Sequence, residues 1–114
     1  MPTIGRFRYL EATPRGNVRA RGVLLLLHAF PLNARMWEAQ LALAEQGWRV
    51  IAPQMRGVDG GTADPPTQTL DDYAGDVIDL LDRLHVEEAV IGGCSMGGYL
   101  AFALLRLAER YVRG

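Results

Sequence analysis

Apolar residues in this chain alternate between short unbroken runs and spaced stripes, and that alternation defines the elements. Arg6 to Ala12 alternates loosely and predicts an edge strand, which the turn-forming stretch Thr13-Pro14-Arg15-Gly16-Asn17 sends back. Val23 to Leu27 is apolar without interruption, the pattern of a strand covered on both faces of a parallel sheet. It ends in His28-Ala29-Phe30-Pro31, where proline stops it. Asn33 is placed to cap a helix with Met36, Trp37, Leu41 and Ala44 on one side, closing at Gly47. Trp48 to Ala52 reads as a second short buried strand stopped by Pro53, and Gln54 to Gln68, rich in Gly and Pro, as loop. Thr69 with Asp72 forms the pattern of a capping box. The helix behind it carries Tyr73, Val77, Leu80, Leu81 and Leu84 at helical spacing. Ala89 to Gly92 is the last strand, followed by a helix from Met96 to about Arg110.

Strands alternating with helices in this order imply βαβ units, hence an α/β fold with a mainly parallel sheet and flanking helices. Neither an internal repeat nor a low-complexity tract divides residues 1–114, so one domain is expected. Active groups in such sheets gather at the carboxyl ends of the strands. Three loops should therefore meet: those after Leu27, after Ala52 and after Gly92.

Composition narrows the chemistry. The 114 residues are 49% hydrophobic, enough for a real core, and the net charge of −1 offers no field for nucleic acid or an anionic membrane. All 12 basic residues are arginine, which excludes lysine nucleophiles, Schiff-base chemistry and a Walker-type phosphate loop. One cysteine and two histidines argue against an internal disulfide and a structural zinc site. No cofactor or metal is expected. Met1-Pro2-Thr3-Ile4-Gly5-Arg6 lacks the apolar stretch of a secretory signal, and the run Val23 to Leu27 is far short of the ~20 residues that span a bilayer. A cytoplasmic protein is the expectation.

The most informative segment is Gly93-Cys94-Ser95-Met96-Gly97, between an apolar run and an apolar helix. Strand, G-x-S-x-G, helix is the setting of a nucleophile elbow, with Ser95 on a sharp turn and glycines leaving room for the chain to fold back. The helix would aim its amino end where negative charge develops during acyl transfer. Cys94 is out of register with the two glycines and reads as a small, half-buried side chain. The glycines at 92, 93, 97 and 98 lack the G-x-G-x-x-G spacing of a dinucleotide site.

With these loops placed, the chain resembles the α/β-hydrolase superfamily, most of all its small bacterial esterase, lactonase and acyl-hydrolase branch. The resemblance rests on His28-Ala29-Phe30-Pro31, on Pro53-Gln54-Met55-Arg56-Gly57, and on Gly93-Cys94-Ser95-Met96-Gly97-Gly98. It implies Ser95 as nucleophile and the backbone amides of Phe30 and Met96 as an oxyanion hole. Ala29 stands where the branch has glycine, and Gln54 where it has aspartate. Arg110-Tyr111-Val112-Arg113-Gly114 looks like the segment entering the family's sixth strand, beyond which relatives carry the catalytic acid and histidine. The chain thus resembles the fold's N-terminal half, ending after the helix that follows the elbow.

A serine needs a base within hydrogen-bond reach. His85 follows a helix about 20 Å long and falls at the opposite edge of the sheet. His28 is the candidate substitute base, although the resemblance gives its position to shaping the oxyanion loop. Asp59 and Asp64 are solvated loop acids or, alternatively, orient an imidazole, and Arg56 is a structural residue, in an ion pair or a hydrogen bond to a neighbouring loop, or else a binder of a substrate carboxylate. The expected function is serine-dependent hydrolysis of a small-molecule ester or related acyl substrate. The alternatives are a non-catalytic, self-associating scaffold and one half of a split enzyme. An open edge at Ala89 to Ile91 would invite pairing with a second copy, giving a homo-oligomer, most simply a dimer.

Overall fold

The computed structural model describes residues 1–5, 7–16, 18–30, 32–56 and 69–114. Five strands form one sheet in the order β1-β2-β4-β3-β5: β1 (Thr3–Ile4), β2 (Phe7–Ala12), β3 (Gly22–Leu27), β4 (Trp48–Gln54) and β5 (Val90–Gly93). β3 pairs in parallel with both β4 and β5, whereas β1–β2 and β2–β4 are antiparallel. The sheet is therefore mixed, and its parallel half carries the three loops singled out above.

Leu25 and Leu27 of β3 and Ile51 of β4 enter a core with Val77, Leu80 and Leu81 of α1 (Leu70–Arg83) and Leu100 and Leu104 of α2 (Met96–Leu107). Leu26, Val50 and Ala52 point to the other face, under a helix whose Ala34, Trp37 and Leu41 cover them. Alternate residues of a strand face opposite sides, so a strand buried on both must be apolar throughout. Trp37 and Trp48, both partly buried, pack against the cluster of Leu26, Val50 and Ala52.

The first helix spans Ala34–Gln46 and is 3₁₀ in its hydrogen bonding along its length. Asn33 caps it, its side-chain oxygen accepting from the Arg35 amide at 2.9 Å. The capping box of α1 is complete: the Asp72 amide donates to Thr69 Oγ1 at 3.1 Å, and the Thr69 amide donates to Asp72 Oδ2 at 3.0 Å. α1 ends in a Schellman motif, with the His85 amide donating to the Asp82 carbonyl, the Val86 amide to the Leu81 carbonyl, and His85 at φ +58°.

Three expectations shift. β4 runs through Pro53 to Gln54 where the proline was expected to stop it. Pro53 faces Tyr9, whose amide turns away to the Pro2 carbonyl at 3.1 Å, and the β3 ladder has already ended at Ile51, so no partner needs the missing N–H. α2 stops at Leu107, and the chain turns through a 3₁₀ turn, Glu109–Tyr111, whose Tyr111 hydroxyl donates to the Asp82 carboxylate. The edge expected to be open at Ala89 to Ile91 is occupied. The Ala89 amide donates to the Tyr111 carbonyl (2.7 Å), Arg113 to Ala89 (2.8 Å) and Ile91 to Gly114 (2.8 Å), so the last four residues lie parallel to β5. Among the described residues, no helix is long and apolar enough to cross a membrane.

Candidate active site

The bend between β5 and α2 is built by two glycines that admit no side chain. A Cβ on Gly93 would lie 2.3 Å from the Gly97 carbonyl oxygen, and one on Gly97 would lie 2.0 Å from the Leu27 carbonyl oxygen. Gly97 thus packs its Cα directly on the end of β3, and Gly93 packs on Gly97. The chain between them must turn within three residues. Ser95 absorbs that turn at φ +55°, ψ −113°, a conformation costing an L-residue on the order of 1–3 kcal/mol.

Ser95 is exposed, and its hydroxyl makes no capping bond to the helix it precedes. The next amides turn into α2: Gly97 donates to the Cys94 carbonyl (2.9 Å), and Gly98 to that of Ser95 (2.9 Å). Among the described residues, no acceptor is paired with the amide of Met96 or of Phe30. Contact of Gly97 with Leu27 and His28 sets the loop carrying Ala29 and Phe30 beside the start of α2. Ala29, where a methyl replaces the branch's glycine, is buried without positive φ, and its amide donates to Met36 Sδ at 3.3 Å.

His28 cannot be the substitute base. It is 0% exposed, and both ring nitrogens are engaged. The Met55 amide donates to Nε2 at 3.0 Å, which requires a lone pair there, so the proton sits on Nδ1 and is donated to the Ala29 carbonyl at 3.0 Å. Burial holds the imidazole neutral and pushes its pKa below the ordinary 6.5, against the opposing pull of the Ala29 carbonyl. The unfolded chain therefore protonates first on acidification. This group's contribution to stability is complete above about 6.5 and is lost as pH falls through the lower folded value.

His28 also links the loop after β3 to the loop after β4, where two further side chains have structural work. Gln54, in the position of the branch's aspartate, accepts from the Ala34 amide at 2.8 Å and so caps the first helix from outside. Arg56 grips Asp76 of α1 in a bidentate pair, Nε to Oδ2 and Nη2 to Oδ1, both 2.7 Å. Of the two structural roles expected of Arg56, this is the ion pair. In the sequence, Asp76 stands among the charged positions between the apolar ones, yet it is buried beside Val77 on α1. Gln54 carried no signal of its contact.

His85 is exposed at the far end of α1, as its position implied, and Cys94 is half-buried with a free thiol. Pro31, Gly57, Asp59 and Asp64 lie outside the described residues. Among the described residues, no cluster of three or more His, Cys, Asp or Glu is disposed to hold a metal. The site thus unites the end of β3, the end of β4 and the bend after β5, with Ser95 at its surface.

The sequence matches the model of the alpha/beta hydrolase fold family over residues 22–114. It is 34% identical to epoxide hydrolase 4 of Mus musculus over 103 residues, 87% of this chain and 27% of that protein. It is 37% identical to an epoxide hydrolase of Caballeronia sordidicola over 102 residues, 85% of this chain and 30% of that one. Among solved structures, a thermophilic esterase from Thermogutta terrifontis superposes with a TM-score of 0.77 at 31% identity, covering 93% of this chain and 37% of its own. The chain spans about a third or less of the length of each. This chain belongs to the α/β-hydrolase fold family.

Proposed function

We propose that this chain carries the nucleophile and oxyanion loop of a serine hydrolase that cleaves carboxylic esters or related acyl compounds through an acyl-enzyme at Ser95. The observation that carries this reading is the exposed Ser95 on a bend at φ +55°, fixed by Gly93 and Gly97 at the amino end of α2. The Met96 and Phe30 amides serve as the oxyanion donors. Attack by the hydroxyl oxygen on the acyl carbon gives a tetrahedral oxyanion, and expulsion of the alcohol leaves an acyl ester on Ser95 that water then hydrolyses.

Both epoxide hydrolases and an esterase are among the relatives. The nature of the side chain at the bend supports the second. Opening an epoxide with a serine hydroxyl would leave a dialkyl ether that water does not cleave, so the enzyme would stall after one turnover. An acyl serine is hydrolysable, and the acyl reading follows.

The general base is supplied by a further stretch of chain or a second polypeptide, because His28 has both ring nitrogens engaged and His85 stands at the far end of α1. Oxyanion stabilisation and binding alone leave roughly 10³–10⁴-fold acceleration over water in triad-deleted serine hydrolases. A cytoplasmic setting belongs to this reading and suits the free thiol of Cys94. The test is labelling by a fluorophosphonate, mapped by mass spectrometry. One adduct on Ser95 is expected, lost completely in Ser95→Ala and retained in Cys94→Ala. Labelling that survives Ser95→Ala, or that never reaches Ser95, overturns the assignment.

A second reading, self-association, is favoured by the outer face of α2. Tyr99 and Phe102 are 67% and 70% exposed, and Leu105 continues their row. Apolar faces of this kind mark contact surfaces, and a net charge of −1 puts little repulsion between copies. The contact is thus moved from the β5 edge, which Tyr111 to Gly114 occupies, to this helix face. Sedimentation equilibrium is expected to give a two-fold dimer that Phe102→Glu returns to monomer. A wild-type monomer at high concentration removes this reading.

A further inference from the structure

The loop after β3 is held at its entry by an uncommon acceptor. The amide of Ala29, one residue before Phe30, donates to the thioether sulfur of Met36 in the first turn of the first helix, at 3.3 Å. Ala29 is 6% exposed, so this sulfur serves a buried donor. The four methionines of the chain differ in what surrounds them. Met55 is 3% exposed inside the larger core, Met96 packs against that core, and Met1 packs against the smaller one. Met36 is half-buried and belongs to neither cluster, and its sulfur is engaged by the loop.

We propose that Met36 is a modification site, a thioether whose oxidation to the sulfoxide by a peroxide shifts the Ala29–Phe30 loop and lowers the reactivity of the Ser95 site. With hydrogen peroxide, the sulfur gives up two electrons and bonds to one peroxide oxygen, the O–O bond breaks, and the other oxygen leaves as water. The two methionine sulfoxide reductases, one for each sulfoxide epimer, reverse the step.

The sulfur has two lone pairs, and one of them faces the Ala29 N–H. An oxygen added on that side has no room, because nitrogen and sulfur are 3.3 Å apart and an N–H···O contact alone takes about 2.9 Å. An oxygen added on the other side draws electron density out of the sulfur, which then meets the N–H as a positive centre. Either way the bond is lost, and a buried amide left without an acceptor drives the loop to rearrange. The Phe30 amide, joined to Ala29 through one planar peptide unit, moves with it. The inference rests on the Ser95 reading for the change in reactivity. The modification and the movement of the Ala29 amide do not depend on that reading.

The test uses the Cys94→Ala chain, in which the thiol on the bend no longer takes up oxidant. Hydrogen peroxide is added, the incorporated oxygen is located by peptide mass spectrometry, and the Ala29 and Phe30 amides are followed by nitrogen-15 NMR while fluorophosphonate labelling of Ser95 is timed. Met36 is expected to take up one oxygen ahead of Met55, and both amides to shift in proportion to the oxidised fraction. Labelling is expected to slow about tenfold, short of the roughly 10²–10³ that loss of a whole oxyanion donor costs. The reductases together should restore the amide positions and the rate. Met36→Leu, close in volume and without a sulfur, is expected to label at a rate that peroxide does not change. An oxidised Met36 with the Ala29 amide unmoved, oxygen uptake confined to the other methionines, or equal slowing in Met36→Leu would each overturn the proposal, the last by tracing the slowing to Met96. The mass map and the amide shifts decide the matter even if Met36→Leu does not fold. If Ser95 never labels, amides that follow Met36 oxidation leave the modification site standing and remove the hydrolase assignment.

Discussion

Replacing Gly97 with alanine is expected to abolish the folded state or lower its stability by at least about 3 kcal/mol, while the same change one residue later is tolerated. The added methyl at position 97 would lie 2.0 Å from the Leu27 carbonyl oxygen and 2.6 Å from its carbon, atoms of a central strand that cannot step aside. To make room, α2 would have to lift off β3, opening the core formed by Leu27, Leu100 and Leu104. At Gly98 the nearest atom, the Gly93 carbonyl oxygen, would be 3.9 Å away, an ordinary contact. Gly98→Ala, in the first turn of α2, should be neutral or gain up to about 1 kcal/mol, the cost of glycine relative to alanine within a helix. Urea unfolding of the two variants beside wild type checks both. Equal midpoints for Gly97→Ala and wild type would mean that α2 does not lie on β3 as described.

Removing one partner of the Arg56–Asp76 pair is expected to cost about 3–5 kcal/mol, and removing both to cost less than the sum. The Asp76 residue is 9% exposed, so removing the guanidinium takes a bidentate, charge-assisted partner from a buried carboxylate. The pair also anchors the loop after β4 to α1, next to Met55 and its bond to His28. Arg56→Met with Asp76→Leu should therefore recover much of the loss of either single change, in a double-mutant cycle with a coupling above about 1 kcal/mol. Additivity of the two changes would show that the bidentate contact contributes little. Because total stability of a small domain is about 5–15 kcal/mol, either single variant should be visibly less stable in thermal unfolding.

The two variants separate what local pattern reveals from what it does not. G-x-S-x-G is legible because two glycines at fixed spacing report a steric demand inside a five-residue window. The same holds for Asn33, for Thr69 with Asp72, and for the unbroken run Val23 to Leu27, since caps and two-sided burial leave their mark within a turn or a strand. The role of Gln54 was not legible. Its partner, the Ala34 amide, lies 20 residues away and on the backbone, where no side-chain pattern announces it. His28 was legible as a residue near the site but not in its role. Whether an imidazole acts as base or as structural link depends on what meets its two nitrogens, and here those are the Met55 amide and the Ala29 carbonyl.

The coverage of β5 had the same cause. Nothing in Tyr111 to Gly114 alone fixes its direction, and the Tyr111 hydroxyl on Asp82 and the three bonds to β5 are tertiary.

By itself, the sequence determined the alternation of strands and helices, the two-sided burial of the central strands and the placing of Ser95 on a tight turn. These follow from hydrophobic period, cap chemistry and the room a glycine leaves, all acting over a few residues. Only the tertiary structure decided which groups meet across the sheet: Gly97 on the end of β3, His28 between two loops, Arg56 on Asp76, and the last four residues along β5. Such contacts join residues far apart in the chain, and their geometry exists only once the sheet has set its order and register.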